Sequence, residues 1–243
     1  FKDQLIYITQ ENMGQATARN IGIGKAKGEY IAFFDADDLF RQNKLEKQAF
    51  FLDHHLDYCM VYTAYSRIDE EGHPYPEKKI YVRTGDIFPQ LFMRCFIAPS
   101  MVMCRRQALL DVGLFQTKFG AEDYDLFLRL AMYGKVGYLP EPLTTYRVRR
   151  GSSSKIGQIR AALESKGLLD QYKDYLFENY RLGWWYYRKR MSKIYREQAK
   201  VYLSQEKISD ARRCLKRSLG LYPFRFDVIR KYLIVRAQEK NIG

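Results

Sequence analysis

Apolar runs alternate with segments of helical spacing along the first 150 residues of the chain. Apolar runs of about four to eight residues with β-branched or aromatic side chains are typical of strands, whereas apolar positions three and four residues apart are typical of helices. The runs predict strands at residues 5–9, 30–34, 58–67, 100–104, 136–139 and 143–148. The helical spacing predicts helices at residues 15–27, 43–54, 86–93, 106–111 and 121–133. This alternation is typical of an α/β domain.

The first predicted strand, helix and strand, from Leu5 to Asp35, have the length of a βαβ unit. Crossover connections of this kind are right-handed and place their two strands in parallel. Ligands of open parallel sheets bind at the carboxyl ends of the strands. We therefore expect a ligand site where the strand from Tyr30 to Phe34 ends.

Three acids, Asp35, Asp37 and Asp38, directly follow this apolar run. On an extended backbone, residues i and i+2 point to the same side, so Asp35 and Asp37 can converge. Carboxylate oxygens are the ligands that Mg²⁺ and Mn²⁺ prefer. The spacing Asp-x-Asp therefore predicts a divalent cation site. The alternative for an isolated motif is a turn in which Asp38 caps the helical turn that follows.

The pattern changes after Arg149, Arg150 and a Gly-Ser-Ser-Ser turn at residues 151–154. No strand-like run remains, and helices are predicted at residues 158–180, 184–203, 209–219 and 227–238. We place a domain boundary near residue 150, between an α/β region (1–150) and an all-α C-terminal region (151–243). Small and aromatic residues between Tyr195 and Pro223 fit one tetratricopeptide-like helical hairpin.

The net charge of +13 is distributed unevenly. Residues 1–150 hold 20 Lys and Arg against 19 Asp and Glu, whereas residues 151–243 hold 21 against 9. Such asymmetry indicates an anionic partner, which is membrane lipid, nucleic acid or a phosphorylated substrate. The segment from Gly183 to Arg196 mixes Trp and Tyr with Arg and Lys, which favours an anionic membrane surface. A domain-packing helix with a solvated basic face is the alternative, and nucleic acid is disfavoured because no recognition motif is present.

Cysteines and histidines indicate no structural zinc site. The four cysteines form no CxxC pair, and the three histidines match no zinc spacing. No apolar run approaches the roughly 20 residues that span a bilayer. We expect reduced thiols and a cytoplasmic protein that is peripheral at the inner face of the plasma membrane.

Three segments occur in a characteristic order: NMGQATARNIGI (Asn12 to Ile23), FFDADD (Phe33 to Asp38), and GAEDYDLFLRL followed by YLPEPLTTYRV (Gly120 to Val148). In this order they resemble bacterial family-2 glycosyltransferases over about residues 1–155. The resemblance implies the GT-A fold, a Rossmann-like, mostly parallel sheet flanked by helices.

The resemblance also implies roles for particular residues. Asp35 and Asp37 are expected to hold Mg²⁺ or Mn²⁺ and the diphosphate of a nucleotide-sugar donor. Gly14, Arg19 and Asn20 are expected to line the nucleotide side of the site. The remaining candidates are two acids of the third segment, Glu122 and Asp123, and two arginines near its end, Arg147 and Arg149. Each pair also has an alternative role.

Asp123 is expected to be the general base, with Glu122 beside it as a second catalytic acid. In an isolated sequence, acids in the first turn of a helix have a simpler explanation, since they are favoured by the helix dipole. In YRVRR, Arg149 stands where many relatives have His. Arg147 and Arg149 are candidate diphosphate ligands, and a structural role is the alternative.

These features predict an inverting, metal-dependent transferase that moves a sugar to a hydroxyl of a glycan or lipid-linked acceptor in cell-surface polysaccharide synthesis. Members of the family normally begin with a further strand, helix and strand that contribute to the nucleoside site. We expect this part to be missing before Phe1. The alternative function is a catalytically incomplete fragment whose basic helical tail binds an anionic surface or a protein.

Overall fold

A five-stranded sheet lies at the centre of the α/β region in the computed structural model, which describes residues 5–76, 82–118, 121–149, 165–223 and 226–240. Numbered along the chain, its strands are β1 (Tyr30–Ala32), β2 (Leu39–Phe40), β3 (Tyr58–Ile68), β4 (Val102–Arg105) and β5 (Lys135–Arg147). Their order across the sheet is β1, β4, β3, β5, β2. The long parallel pair of β3 and β5 therefore occupies the interior of the sheet.

The sheet is mixed, and the expectation of a mostly parallel sheet is corrected. Only β3 and β5 are parallel among the described strand pairs, while β1 with β4, β3 with β4, and β2 with β5 are antiparallel. The predicted strand from Leu5 to Thr9 is absent, and this segment is exposed. An extended segment becomes a strand only when a neighbour satisfies its backbone groups, and no described residue pairs with it.

The two predicted strands at residues 136–139 and 143–148 are one strand, β5. Its register with β3 passes from Leu139 opposite Thr63 to Pro142 opposite Ala64, which leaves Pro140 and Glu141 unpaired. Because Pro lacks a backbone donor, it is accommodated in a sheet where the ladder is interrupted. The irregularity lets one strand continue through two prolines and reach the acidic turn after β1.

All five helices predicted for the α/β region occur, and the α/β class is confirmed. They are α1 (Gln15–Lys25), α2 (Lys44–His54), α3 (Phe88–Met93), α4 (Arg106–Asp111) and α5 (Glu122–Tyr133). In α5, the side chains of Leu126, Phe127, Leu128 and Leu130 are fully buried. This apolar surface fixes the helix against the core, so the position of its acidic first turn is determined by packing.

The C-terminal region is helical, as predicted. Its helices are α6 (residues 165–170), α7 (Lys173–Asn179), α8 (Gly183–Ser204), α9 (Ile208–Leu221) and α10 (Phe226–Lys240). Leu168, Leu176 and Met191 share one buried cluster with residues of α3 and α5. The predicted boundary near residue 150, the turn at 151–154 and the start of the helix at 158–180 lie outside the described residues.

Helices α8 and α9 pack as a hairpin, with Ala199, Ala211 and Leu215 fully buried between them and α10. The Ser192 hydroxyl donates to the Ser218 carbonyl at 3.0 Å. Small residues at such positions allow two helices to approach closely. Among the described residues, no helix combines the length and the hydropathy needed to cross a bilayer.

A buried carboxylate, Asp125, joins α5 to the C-terminal helices. Asp125 is 3% exposed and accepts hydrogen bonds from Arg129 Nε at 2.8 Å and Nη2 at 2.6 Å. The Tyr172 hydroxyl and Gln171 Nε2, located between α6 and α7, donate to its other oxygen. Since a buried carboxylate without partners is costly, these bonds fix α5 relative to α6 and α7.

Replacing Asp125 with Ala should lower the free energy of unfolding by about 3 kcal/mol, because the Arg129 charge would remain buried without its partner. Urea unfolding followed by circular dichroism measures this change. Asp210→Ala removes an exposed pair with Arg213 on α9 and should cost less than about 1 kcal/mol. Equal losses for the two variants would contradict the structural role of Asp125.

Candidate active site

A turn after β1 brings two acids to one cavity. The strand ends at Ala32, and the turn closes where the Asp38 N–H donates to the Asp35 carbonyl at 3.0 Å. Asp35 and Asp37 both line a cavity of about 510 Å³. The predicted extended backbone is thus replaced by a turn, but the two carboxylates still face the same space.

Helix α1 forms the opposite wall of this cavity and supplies Arg19. Gln15, Ala18 and Arg19 line the cavity from one face of the helix. The Arg19 guanidinium donates from Nη2 to Asp35 at 2.8 Å and from Nη1 to Asp123 at 2.5 Å. One arginine therefore links the acid at the end of β1 to the acid in the first turn of α5.

Asp123 is a carboxylate with an altered pKa. Burial raises its pKa to about 6, and the negative charges of Asp35 and Glu122 act in the same direction, whereas the Arg19 guanidinium opposes them. Glu122 precedes it in the first turn of α5. A carboxylate with a pKa near the working pH is suited to accept a proton in a reaction.

Arg149 and Arg147 occupy opposite sides of the acidic turn. Arg149 lines the cavity, and its Nε donates to Asp37 Oδ2 at 3.0 Å. Arg147 Nε donates to the Asp37 carbonyl at 3.1 Å, and its Nη1 donates to the carbonyls of Asp69 and Glu70. Side chains alternate along β5, so Tyr146 faces the cavity and Arg147 does not. The structure therefore brings Arg149 to a carboxylate at the cavity, whereas Arg147 binds the backbone of the turn.

Asn20 and Gly14 do not line the cavity but support residues that do. Asn20 Nδ2 donates to the Phe115 carbonyl at 2.9 Å, and the Phe115 N–H donates to Asn20 Oδ1 at 3.0 Å. The Phe115 ring lies 5.4 Å beneath the Arg19 guanidinium. Gly14 has a φ of 85° immediately before α1, a conformation that favours glycine. Asn20 thus positions Arg19 through Phe115, and Gly14 sets where α1 begins.

Asp38 ties the acidic turn to the sheet, and its predicted alternative role as a helix cap is corrected. It is 3% exposed, and its Oδ1 accepts from the Arg147 N–H at 3.1 Å. Burial raises its pKa above the ordinary value. The buried Ser100 Oγ accepts from the Asp35 N–H at 3.0 Å. Helix α2 begins six residues later and carries no side-chain cap.

Sequence reasoning missed several residues around the acids. Ser100 and Phe115 support them, and Phe34 and Tyr146 line the cavity. Alternation along β5 could have indicated that Tyr146 faces away from Arg147. Nothing in the local pattern marks Ser100 or Phe115, because their partners are distant in sequence.

A profile of the family described as "Glycosyltransferase like family 2" matches residues 2–211. The chain belongs to this family. A protein of Rickettsia bellii named as an uncharacterized glycosyltransferase is 37% identical over 150 residues, which are 61% of this chain and 21% of that protein. The Bacillus subtilis glycosyltransferase TuaG, named for a proposed role in teichuronic acid biosynthesis, is 29% identical over 155 residues, or 63% of this chain and 60% of TuaG.

Two solved structures resemble this glycosyltransferase at lower identity. S. aureus TarS 1–349 in complex with UDP has a TM-score of 0.47 and 15% identity, covering 94% of this chain and 71% of TarS. The mannosyltransferase PcManGT of Pyrobaculum calidifontis, in complex with GDP-Man and Mn²⁺, has a TM-score of 0.49 and 16% identity, covering 96% of this chain and 61% of PcManGT. Both TM-scores lie below 0.5, and the family membership does not depend on them.

The acids at the cavity fit the divalent cation that the family implies. Arg19 occupies one oxygen of Asp35, and Arg149 occupies one oxygen of Asp37. Arg19 and Arg149 line the same cavity as the two carboxylates. Negative oxygens and positive side chains therefore face the same space. Hard oxygen donors of this kind suit Mg²⁺ or Mn²⁺ together with phosphate oxygens. Elsewhere among the described residues, Asp69, Glu71 and His73 form an exposed cluster with ligand atoms within 4.8 Å of one another.

Replacing Asn20 with Ala should lower the free energy of unfolding by about 2 kcal/mol, because the Phe115 backbone would lose both partners. Binding of a nucleoside diphosphate should weaken as well, since Arg19 would lose its fixed support. Urea unfolding and calorimetric titration measure the two effects. Asn43→Ala is the control, because Asn43 is exposed and makes no capping bond at α2. If Asn20→Ala resembled this control in both assays, the positioning role would be rejected.

Proposed function

We propose that this glycosyltransferase moves a sugar from a nucleotide-sugar donor to a hydroxyl of a glycan or lipid-linked acceptor, with inversion at the anomeric carbon. The observation that carries the proposal is that Arg19 forms ion pairs with both Asp35 and Asp123. Asp35 lines the cavity proposed for the donor diphosphate, and Asp123 is a carboxylate whose pKa is raised. A role in cell-surface polysaccharide synthesis is supported by the name of TuaG, a 29% identical relative.

On the donor side, this chain contributes two acids and two arginines. Asp35 and Asp37 would hold a divalent cation, which when bound supplies positive charge to the departing diphosphate. Arg19 and Arg149 lie at the same cavity, and guanidinium groups bind phosphate oxygens through paired N–H donors. Tyr146 and Phe34 provide apolar surface at the cavity edge. These residues would bind and orient the donor.

On the acceptor side, Asp123 would accept the proton of the attacking hydroxyl. Its pKa of about 6 leaves it mostly ionised at neutral pH, yet more basic than an ordinary carboxylate. Attack on the face opposite the leaving diphosphate inverts the anomeric carbon. Glu122 contributes negative charge that makes Asp123 more basic. Arg19 holds Asp123 at a fixed position beside the donor cavity.

Asp123→Asn should abolish sugar transfer, by about 10³-fold or more, because an amide cannot accept the proton. Calorimetric titration with the nucleoside diphosphate and Mn²⁺ should still show donor-side binding, whereas Asp37→Asn should weaken it. In the unaltered protein, the transfer rate should fall about tenfold per pH unit below pH 6, as Asp123 becomes protonated. Substantial turnover by Asp123→Asn would refute its role as the base.

We also propose peripheral contact with an anionic membrane through α8. Trp184 is 56% exposed, and the Arg188 guanidinium lies 5.7 Å from its ring. Trp185 and Tyr186 are only half-buried, while the Tyr187 hydroxyl donates to Asp170 and is directed inward. Aromatic and basic groups together favour the interface of an anionic bilayer. This placement corresponds to a cytoplasmic protein at the inner face of the plasma membrane.

Trp184→Ala should reduce flotation with phosphatidylglycerol vesicles severalfold, because the exposed ring would no longer enter the interface. Phosphatidylcholine vesicles provide the neutral comparison, and Leu56→Ala removes a still more exposed apolar side chain from the α/β region. Flotation that is indifferent to lipid charge, or equal for the two variants, would rule out this contact. The basic helices would then be assigned to a protein or substrate partner.

A further inference from the structure

A second cavity lies between the end of α3 and α8, apart from the cavity that holds Asp35 and Asp37. It measures about 490 Å³, and we call it the α3–α8 pocket. Four cationic residues line it: Arg83 before α3, Arg94 at the end of α3, and Lys189 and Lys193 on one face of α8. Among its described lining residues there is no carboxylate. The pocket therefore concentrates positive charge from three separate segments.

The charges that act on Lys193 in the pocket come from three arginines and one acid. Burial lowers the pKa of Lys193, and the charges of Arg190 and Arg94 lower it further, while Glu197, one turn along α8, opposes them. Lys189 Nζ lies 4.3 Å from the centre of the Trp185 ring. The fold holds Lys193 close to these arginines in spite of their repulsion, and a bound anion would relieve that repulsion.

Gln90 adds an uncharged amide side chain to the lining of the pocket. Its Oε1 is shielded from solvent and has no hydrogen-bond partner among the described residues. A shielded amide oxygen without a partner is costly. Phe96, Trp185 and Tyr186 supply aromatic surface in the same pocket. A sugar phosphate offers phosphate oxygens to the cations and a sugar ring to this aromatic surface.

The helix that ends at the pocket contacts the helix that carries Asp123. Tyr124, the next residue, donates its hydroxyl to the Leu91 carbonyl at 2.7 Å and to the Phe92 carbonyl at 2.9 Å, both in α3. Cys95, which follows Arg94, experiences the charges of Asp123, Arg190 and Arg94 together. The start of α5 is thus fastened to the helix whose end forms the pocket. A ligand in the pocket would lie near Asp123, on the acceptor side of the site.

We propose that the α3–α8 pocket binds the phosphate group of an acceptor sugar phosphate, so that a hydroxyl of the attached sugar reaches Asp123. The assignment of this ligand to the acceptor rests on the proposed transferase function, whereas the pocket's affinity for phosphate does not. The phosphate belongs either to a lipid-linked acceptor or to a soluble one. Both sources share the same recognition chemistry, a phosphoryl group bound by Lys and Arg.

Calorimetric titration with inorganic pyrophosphate in EDTA tests the pocket without a divalent cation. The protein should bind pyrophosphate, and the double variant Lys189→Gln/Lys193→Gln should bind it at least about tenfold more weakly, because two of four cations are removed. Lys207→Gln/Lys216→Gln removes two exposed lysines at α9 and is the matched control. Absence of binding to the unaltered protein, or equal binding by the two double variants, would overturn the proposal.

Two further variants separate this site from the catalytic one. Asp37→Asn alters the donor cavity and Asp123→Asn the proposed base, and both should bind pyrophosphate in EDTA as the unaltered protein does. A large change in Asp37→Asn would place the pyrophosphate in the donor cavity and overturn the proposal. Because binding is measured without turnover, failure of the proposed transferase function would leave the result for the pocket standing.

Two probes identify the source of the phosphate. Phosphatidylcholine vesicles that carry a polyprenyl phosphate represent the lipid-linked acceptor, and glucose 1-phosphate represents the soluble one. Lys189→Gln/Lys193→Gln should lose affinity for whichever probe binds more tightly. Phosphatidylglycerol vesicles of equal charge are the comparison. If Lys189→Gln/Lys193→Gln weakens binding to these vesicles as much as binding to the better probe, the pocket recognises an anionic surface in general, and the proposal is overturned.

Discussion

The ion pairs of Arg19 are the interaction on which the site depends. One guanidinium on α1 holds Asp35 after β1 and Asp123 at the start of α5, so three segments far apart in sequence meet at one charge. Two carboxylates near each other repel, and the cation between them allows both to lie at one site. Burial nevertheless raises the pKa of Asp123, which shows that Arg19 only partly offsets the loss of solvent. The result is an acid that is held in place and remains basic enough to accept a proton.

The surrounding structure keeps this arginine in position. Asn20 binds both backbone groups of Phe115, and the Phe115 ring packs edge-on against Phe33 at 5.2 Å while supporting Arg19. Asp38 and Ser100 fix the acidic turn to β5 and to the chain before β4. A site that must align donor and acceptor groups benefits from such support, because small displacements strongly reduce reaction rates. Most of the residues around the two acids therefore act through Arg19 or through the turn.

The basic residues of α8 lie in two different surroundings. Arg188 of α8 lies beside the exposed Trp184, where we propose contact with an anionic membrane, whereas Lys189 and Lys193 line the α3–α8 pocket. Because α6 to α8 share a core with α3 and α5, the pocket is built jointly by the α/β region and the helices. The charge counted along the sequence indicated an anionic partner. Only the fold distinguished basic residues on the surface from basic residues that line a pocket.

The sequence by itself determined where most helices and strands lie, because apolar spacing records which positions are buried. Through its resemblance to family-2 glycosyltransferases, it also predicted that Asp35, Asp37, Arg19 and Asp123 belong to one site. Only the tertiary structure decided which groups pair. The segment from Leu5 to Thr9 has no strand partner in the part of the chain that the structure describes, the sheet is mixed, and Asn20 and Arg147 bind backbone groups rather than lining the cavity. The physical reason is that periodicity specifies a buried face, whereas hydrogen bonds and ion pairs depend on partners brought close only by folding.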